Sequence, residues 1–275
     1  MIDPLRRHAP GPFRAEHLRE GDRYELSNGH PIYCAPAGRE HAAPNLTGAA
    51  VIDSDPAVEW AGVDAGFTPA PGILRAPDVA VAAPAGENAT GWIPGAPPLA
   101  VEYAGRGQDE QELRDKIAEL LAAGTRFVWV VRLRGPQRVE VHRPDAPMKT
   151  YIASDVLEAP GVLRNPVPVR ALFDREAAHE AVLQNLLQRR GYASLNEVHQ
   201  EGREEGREEG REEGREEGRE EGLIEAILAL LQGRGLTVAT TVEARLRTCH
   251  DRETLRRWLL SAVRVERAEQ LFDAD

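Results

Sequence analysis

The stretch "PPLAVEYAG", residues 97–105, predicts a short buried strand and sets the organisation of the first half of the chain. Side chains alternate across a strand, so Glu102 lies on the same side as the small residues Ala100 and Ala104. A carboxylate among apolar neighbours is costly unless it is ion-paired, hydrogen-bonded or bound to a metal. Glu102 is therefore the first candidate functional residue.

The segments on either side of this strand predict a mixed domain. Residues 109–123, "DEQELRDKIAELLAA", have acidic residues in the first turn and apolar residues at helical spacing, and they predict the one clear helix of the first 170 residues. The runs "TRFVWVVRLRG" and "QRVEVHRP" follow and predict a hairpin. Upstream, "DRYELSNGHPIYC" carries an Asn-Gly turn signal for another hairpin. Strands, a helix and further strands are typical of an α+β or α/β domain.

The composition excludes several classes of protein. Apolar residues make up 41% of the chain, which is enough for a substantial core. Cys34 and Cys249 are far apart and lack a CxxC partner, so we expect no disulfide framework, no structural zinc and a reducing cytoplasm. The N-terminus has no apolar signal region, and the longest apolar run, residues 223–231, is too short to span a bilayer.

The C-terminal half has a different character. Residues 174–190 predict a helix with Asp174 as N-cap, and residues 201–222 repeat a Glu-Gly-Arg-Glu unit. The repeat is either a solvated spacer of fraying helix or a helix whose glycine column lets a partner helix approach closely. The predicted division is a domain over 13–172, a connecting helix over 173–200, the repeat, and a small helical domain over 223–275.

The net charge of −11 is unevenly distributed along the chain. Residues 1–172 hold 18 Lys and Arg against 22 Asp and Glu, whereas residues 201–222 hold 5 Arg against 11 Glu. The acidity is concentrated in the repeat, and neither segment has the basic footprint of a strong non-specific nucleic-acid binder.

Three residues form a candidate site. Asp78 begins the strand "PDVAV", so if that strand neighbours residues 97–105, the carboxylates of Asp78 and Glu102 lie side by side. A divalent cation such as Mg²⁺ removes their repulsion. Lys116 lies at the edge of the buried face of the predicted helix. There it could orient a water, stabilise charge on a phosphate, or act as a base if its pKa is lowered.

This order of residues resembles the Uma-type restriction endonuclease family, whose members are similar to PD-(D/E)XK nucleases. The resemblance covers about residues 13–145 and rests on Asp78, on Glu102 in "VEYAG", on Lys116 and on "RYELSNG". It implies a restriction-endonuclease-like mixed sheet flanked by helices, and Mg²⁺- or Mn²⁺-dependent hydrolysis of DNA. Asp78 and Glu102 would be metal ligands, Lys116 would lie near the attacking water, and Glu25 would support the metal shell. Position 104, where the usual motif has lysine, is Ala104 here.

Each of these residues also has a structural interpretation. Asp78 could cap a strand or turn, and Glu102 could form a buried ion pair with Arg106 or Lys116. Lys116 could instead pair with Glu112 along the helix surface. Glu25 could simply face solvent.

The corresponding alternative for the whole protein is a catalytically degenerate nuclease fold that serves as an oligomeric binding or scaffolding module. The single histidines His41 and His142 are interpreted as surface residues. Arg132, Arg134, Arg138 and Arg143 could contact phosphates or form a solvated hairpin face.

The repeat and the following "DRETLRRWLLSAVRVERAEQLF" resemble the tail of some bacterial transposase-like nucleases of the same superfamily. This second resemblance implies a bacterial origin and a homo-oligomer formed through the repeat and the helical tail. It implies no second activity.

Overall fold

The computed structural model describes residues 11–84, 86, 90–107 and 109–273. The chain divides into two compact units, one ending at Leu195 and the other beginning at Asn196. Within the described residues, no helix combines the length and the apolarity that crossing a membrane requires. The N-terminal segment interpreted above as lacking a signal lies largely outside these residues.

The strands all belong to the first unit. In chain order they are β1 (Tyr24–Ser27), β2 (His30–Tyr33), β3 (Trp60–Gly62), β4 (Phe67–Thr68), β5 (Val79–Ala82), β6 (Ile93–Pro94), β7 (Leu99–Ala104), β8 (Phe127–Arg132), β9 (Arg138–Arg143), β10 (Ala146–Ile152), β11 (Val156–Leu157) and β12 (Val167–Pro168).

The α-helices of the first unit are α1 (Arg39–Ser54), α2 (Glu110–Ala122) and α3 (Arg175–Arg189). Helix α4 (Leu195–Gly233) leads into the second unit, which continues with α5 (Thr240–Arg247) and α6 (Arg252–Ala262). Short 3₁₀ turns cover Ala15–His17, Val169–Leu172 and Ala268–Phe272.

A six-stranded mixed sheet organises the first unit, with the order β10-β9-β8-β7-β5-β3. Strands β7 and β8 run parallel and are connected through α2, whereas the other neighbours are antiparallel. The α+β class with helices flanking a mixed sheet is thus confirmed.

Each face of the sheet packs against a helical layer. Val101 and Tyr103 of β7 belong to a core that includes Val51 of α1 and Ala178 of α3. On the opposite face, Ala100 and Ala104 belong to a core with Leu113, Ile117 and Leu120 of α2. Both sides of β7 are therefore buried, as its near-continuous apolar sequence predicts.

Local signals located several elements correctly. Asn28 and Gly29 both have positive φ, 49° and 81°, which a two-residue hairpin turn between β1 and β2 requires. The carboxylate of Asp109 caps α2, and that of Asp174 caps α3.

Helix α1 was not predicted from the sequence, which indicated only one helix in the first 170 residues. Pro44 and Gly48 lie inside α1 and are typical helix breakers. Burial of residues such as Ile52 against the sheet stabilises the helix in spite of them. Strand β10, which extends the predicted hairpin, was missed as well.

The repeat is one continuous helix with the apolar segment that follows it, since α4 covers 39 residues. Residues 201–219 are exposed throughout, and the apolar core of the second unit begins at Ile224. This core includes Leu246 of α5 and Trp258 of α6, and the carboxylate of Asp251 caps α6.

Candidate active site

Asp78 lies where β5 begins, next to the strand that carries Glu102. The antiparallel register pairs Val79 with Val101, and one further step along it sets Asp78 opposite Glu102. Asp78 Oδ2 accepts a hydrogen bond of 2.6 Å from the Tyr103 backbone N–H. Asp78 is thus held at the end of β7, where it also caps the strand.

His41 contacts the other oxygen of the same carboxylate. Its Nε2 lies 3.0 Å from Asp78 Oδ1, and the hydrogen bond with Asp78 raises the pKa of the imidazole. The interpretation of His41 as a plain surface residue was wrong, because α1 brings it to the sheet across 37 residues of sequence. No local spacing signalled this contact, since α1 itself was not predicted.

Glu102 is buried beside the ammonium of α2. Its carboxyl Oε1 lies 2.8 Å from Lys116 Nζ, so the predicted ion pair with Lys116 is present. Apart from this ion pair, Oε1 has no partner among the described residues. Burial raises the pKa of Glu102 to about 8. The carboxylate form of Glu102 is therefore short of positive charge.

Lys116 turns toward the sheet rather than along the helix surface to Glu112. Besides Glu102, its Nζ donates to Glu25 Oε1 at 2.9 Å and to the Ala76 carbonyl at 2.8 Å. The pKa of Lys116 is raised, because the carboxylates of Glu102 and Glu25 outweigh the effect of burial. This ammonium is charged at neutral pH and does not act as a base.

Glu25 is buried, so its interpretation as a solvent-facing residue was wrong. Its carboxylate accepts from Arg75 Nη1 at 3.0 Å as well as from Lys116. Arg75 also donates through Nε to Glu119 Oε2 at 2.6 Å. Sequence reasoning missed both Arg75 and Glu119, which join the hairpin β1–β2 and helix α2 to the same cluster.

The connected charges of this cluster do not balance. The carboxylates belong to Glu25, Asp78, Glu102 and Glu119, whereas the permanent cations are Arg75 and Lys116. With Glu102 ionised and His41 neutral, the acids outnumber the cations by two, and below pH 8, where Glu102 is largely protonated, they outnumber them by one.

One open cleft of about 1050 Å³ is lined by the side chains of Glu25, His41, Arg75, Asp78, Glu102 and Lys116. Asp64 lines it too, with a left-handed backbone φ of 53° and a pKa raised by burial and by the neighbouring Asp78. Exposed arginines lie at the same cleft, namely Arg23, Arg39, Arg106 and Arg134. Arg132, by contrast, is engaged by Glu110 and Glu140, which removes it from the predicted phosphate contacts.

The donor set suits a hydrated divalent cation better than a fully enclosed one. In the described part of the chain, no group of three or more His, Cys, Asp or Glu side chains forms a ready set of metal ligands. Mg²⁺ needs only one or two carboxylates and keeps several waters. Asp78 and Glu102, two carboxylates on neighbouring strands that line the same cleft, fit that requirement.

Ala104 explains how the lysine reaches the site from a helix. It lies two residues after Glu102 on the same side of β7 and packs against α2. With a small residue at this position, α2 packs close to β7, and the Lys116 side chain reaches Glu102 from the helix side of the sheet.

Together, the fold and the site define a nuclease-like class of protein: a mixed sheet between helical layers, with two acids on neighbouring strands and a lysine beside them. Residues 13–173, more than half of the chain, match the family described as "Uma2: Putative restriction endonuclease". The chain belongs to this family. The match ends before the repeat, so the resemblance of the tail stays a prediction.

A solved structure shows the same fold. It is titled the crystal structure of "a putative nuclease belonging to DUF820" from Anabaena variabilis, with a TM-score of 0.52 and 20% sequence identity. The alignment covers 61% of this chain and 99% of that one. No curated protein matches the chain.

Proposed function

We propose that the protein is an endonuclease that hydrolyses DNA phosphodiester bonds with Mg²⁺ or Mn²⁺. The single observation that carries this proposal is that Asp78 and Glu102, on neighbouring strands, line one cleft with the Lys116 ammonium 2.8 Å from Glu102. Family membership and the nuclease-like fold support the same conclusion.

Each side chain has a role that its contacts support. Asp78 and Glu102 would hold the ion, which when bound supplies Lewis-acid stabilisation of charge on the phosphate. Lys116, kept charged by two carboxylates, would stabilise the negative charge that develops on the phosphate oxygens. Glu25 would keep the Lys116 ammonium in place and would not touch the substrate.

Cleavage of plasmid and single-stranded DNA with Mg²⁺ or Mn²⁺ tests this proposal. We expect Glu102→Gln and Asp78→Asn to lose at least 100-fold in rate, because each removes a charge from the ion's ligands. Glu158→Gln, at an exposed position, is the matched control. A folded wild-type protein that cleaves neither DNA with either metal would contradict the proposal.

A degenerate scaffold is the second candidate function. It is favoured by Ala104, which stands where the usual lysine would be, and by the absence of a preformed ligand set among the described residues. Calorimetry separates the two candidates, because a degenerate site binds neither Mg²⁺ nor Mn²⁺. Absence of both metal binding and cleavage in the folded wild-type protein would favour the scaffold.

We infer that the repeat of α4 assembles the protein into a homo-oligomer. On a helix, the glycine column of residues 201–222 is flanked by arginines on one side and glutamates on the other. Two parallel helices that meet along their glycine columns therefore set Arg against Glu on both sides, whereas antiparallel helices set like charges together. Charge complementarity thus favours a parallel dimer.

Light scattering of the full chain tests this assembly. Replacing Gly206, Gly210 and Gly214 together by Gln keeps the helix and fills the column, and we expect it to halve the measured mass. Replacing Glu204, Glu208 and Glu212 by Gln, away from the column, is the control. A monomeric wild type, or an unchanged mass in the glycine variant, would contradict the inference.

The setting we propose is the cytoplasm. Both cysteines, Cys34 and Cys249, are free thiols, which a reducing compartment maintains. Alkylation of both thiols in freshly isolated native protein, without prior reduction, would be the expected result.

A further inference from the structure

Helix α1 contributes polar side chains to the cleft near its N-terminal end. His41 and Asn45 are one helical turn apart, and both line the cleft that contains Asp78 and Glu102. Val51 and Ile52, further along the same helix, pack into the apolar core. The polar side chains that α1 gives to the cleft thus lie in the first two turns of the helix.

The contact of His41 with Asp78 completes the hydrogen bonding of that carboxylate in this structure. One oxygen receives the Tyr103 N–H and the other faces His41 Nε2, so the carboxylate cannot rotate without losing one of the two contacts. The imidazole also lies beside the Tyr103 ring, with centroids 6.1 Å apart. Each oxygen keeps a further lone pair, so both contacts are compatible with binding a cation.

Asn45 supplies a second, independent sign that this face of α1 belongs to a binding site. It is only 7% exposed, and its Oδ1 is a buried acceptor without a hydrogen-bond partner among the described residues. Buried acceptors of this kind are uncommon in native proteins unless a ligand or an ordered water serves them. A hydrated ion in the cleft carries the water protons that such an acceptor lacks.

We propose that His41 is a positioning residue of the metal site: by donating from Nε2 to Asp78 Oδ1, it fixes the orientation in which Asp78 binds the divalent cation. The proposal rests on the proposed metal site. It adds to that site a residue of helix α1, an element that carries none of the residues Asp78, Glu102 and Lys116. A hydrogen bond from outside the ligand set typically changes metal affinity by 10–100-fold.

The alternative role of His41 is purely structural, as a tie between α1 and the sheet. The two roles differ in what removal changes. Loss of a structural tie lowers the melting temperature and leaves the affinity of the folded protein for Mg²⁺ unchanged, whereas loss of a positioning contact weakens Mg²⁺ binding by the folded protein.

The experiment is calorimetric titration of the full chain with Mg²⁺, with wild type and variants in the same buffer at the same pH. We expect His41→Leu to weaken Mg²⁺ binding by about 10-fold or more. His41→Gln, whose amide nitrogen reaches the place of Nε2, should stay within about 3-fold of wild type. His142→Gln, at a half-buried histidine on β9 outside the cleft, is the matched control.

The outcomes separate this proposal from the one on which it rests. Unchanged or tighter Mg²⁺ binding by folded His41→Leu protein, or equal losses in the Leu and Gln variants, would overturn the positioning role and leave the metal site intact. If wild-type protein itself binds no Mg²⁺, both proposals are overturned. Circular dichroism of each variant establishes that the protein titrated is folded.

Discussion

The buried acid cluster of the first unit and the repeat of α4 use the same kinds of side chain with opposite consequences. In the cluster, Arg75 and Lys116 are nearly buried and contact carboxylates at 2.6–3.0 Å. In the repeat, residues 201–219 are exposed, and water screens each charge. Burial, rather than residue type, decides whether a charge shifts a pKa and controls stability.

The largest expected effect follows from breaking the buried network. Arg75→Gln leaves the carboxylates of Glu25 and Glu119 without their shared guanidinium, and we expect the free energy of unfolding to fall by about 3–5 kcal/mol. Guanidinium unfolding followed by fluorescence measures it, since Trp129 lies in the core of the first unit. A decrease in the free energy of unfolding of less than about 1 kcal/mol would mean that the buried charges contribute no more to stability than the exposed charges of the repeat.

A second effect is pH dependence of stability in the metal-free protein. The folded state raises the pKa of Glu102 from 4.5 to about 8, so between these values it binds more protons than the unfolded state. The free energy of unfolding therefore falls as pH rises through this window, by at most about 1.4 kcal/mol per pH unit.

Chemical unfolding at pH 5, 6, 7 and 8 in a chelator checks this dependence. Glu102→Gln should flatten the curve, because its amide does not titrate, and Mg²⁺ should restore stability at the upper end. Identical slopes for wild type and Glu102→Gln would rule out Glu102 as the source.

A smaller effect comes from replacing a glycine by alanine in a buried helix of the first unit and in the exposed repeat. Gly48→Ala in α1 would place a Cβ in overlap with Tyr103 Oη, and we expect a loss of about 1–3 kcal/mol. At Gly210 in the repeat an added Cβ meets nothing within 4 Å in the single chain, so in protein diluted until it is monomeric Gly210→Ala should stabilise the helix by about 0.5–1 kcal/mol. Thermal melts by circular dichroism give both values, and effects of equal sign would contradict the comparison.

The smallest effect belongs to a single charge of the repeat. Arg211→Gln removes one exposed guanidinium, and we expect a change within about 0.5 kcal/mol. The matched measurement is the same guanidinium titration used for Arg75→Gln. A loss comparable to that of the buried arginine would show that the repeat charges are desolvated, as in a tight assembly.

Sequence patterns predicted the elements whose signals are local. Asp174 caps α3 as its position predicts, because a cap involves only the next few residues. The Asn28-Gly29 turn is equally local. Helix α1 escaped prediction because its stability comes from packing on the sheet in spite of Pro44.

The candidate site was predictable in part. Asp78, Glu102 and Lys116 were found because strand pairing and helical periodicity follow from spacing. Whether they bind a metal stays a prediction. The roles of His41 and Arg75 were not visible in the sequence, because their partners lie 37 to 50 residues away.

The sequence by itself determined the α+β class, the capped helices, the hairpin turn and the acidic repeat, since all of these depend on interactions within a few residues of chain. Only the tertiary structure decided which charges are buried, which histidine faces Asp78 and where positive charge is missing. The physical reason is that desolvation and Coulomb interaction depend on distance and burial in space, which sequence spacing does not measure.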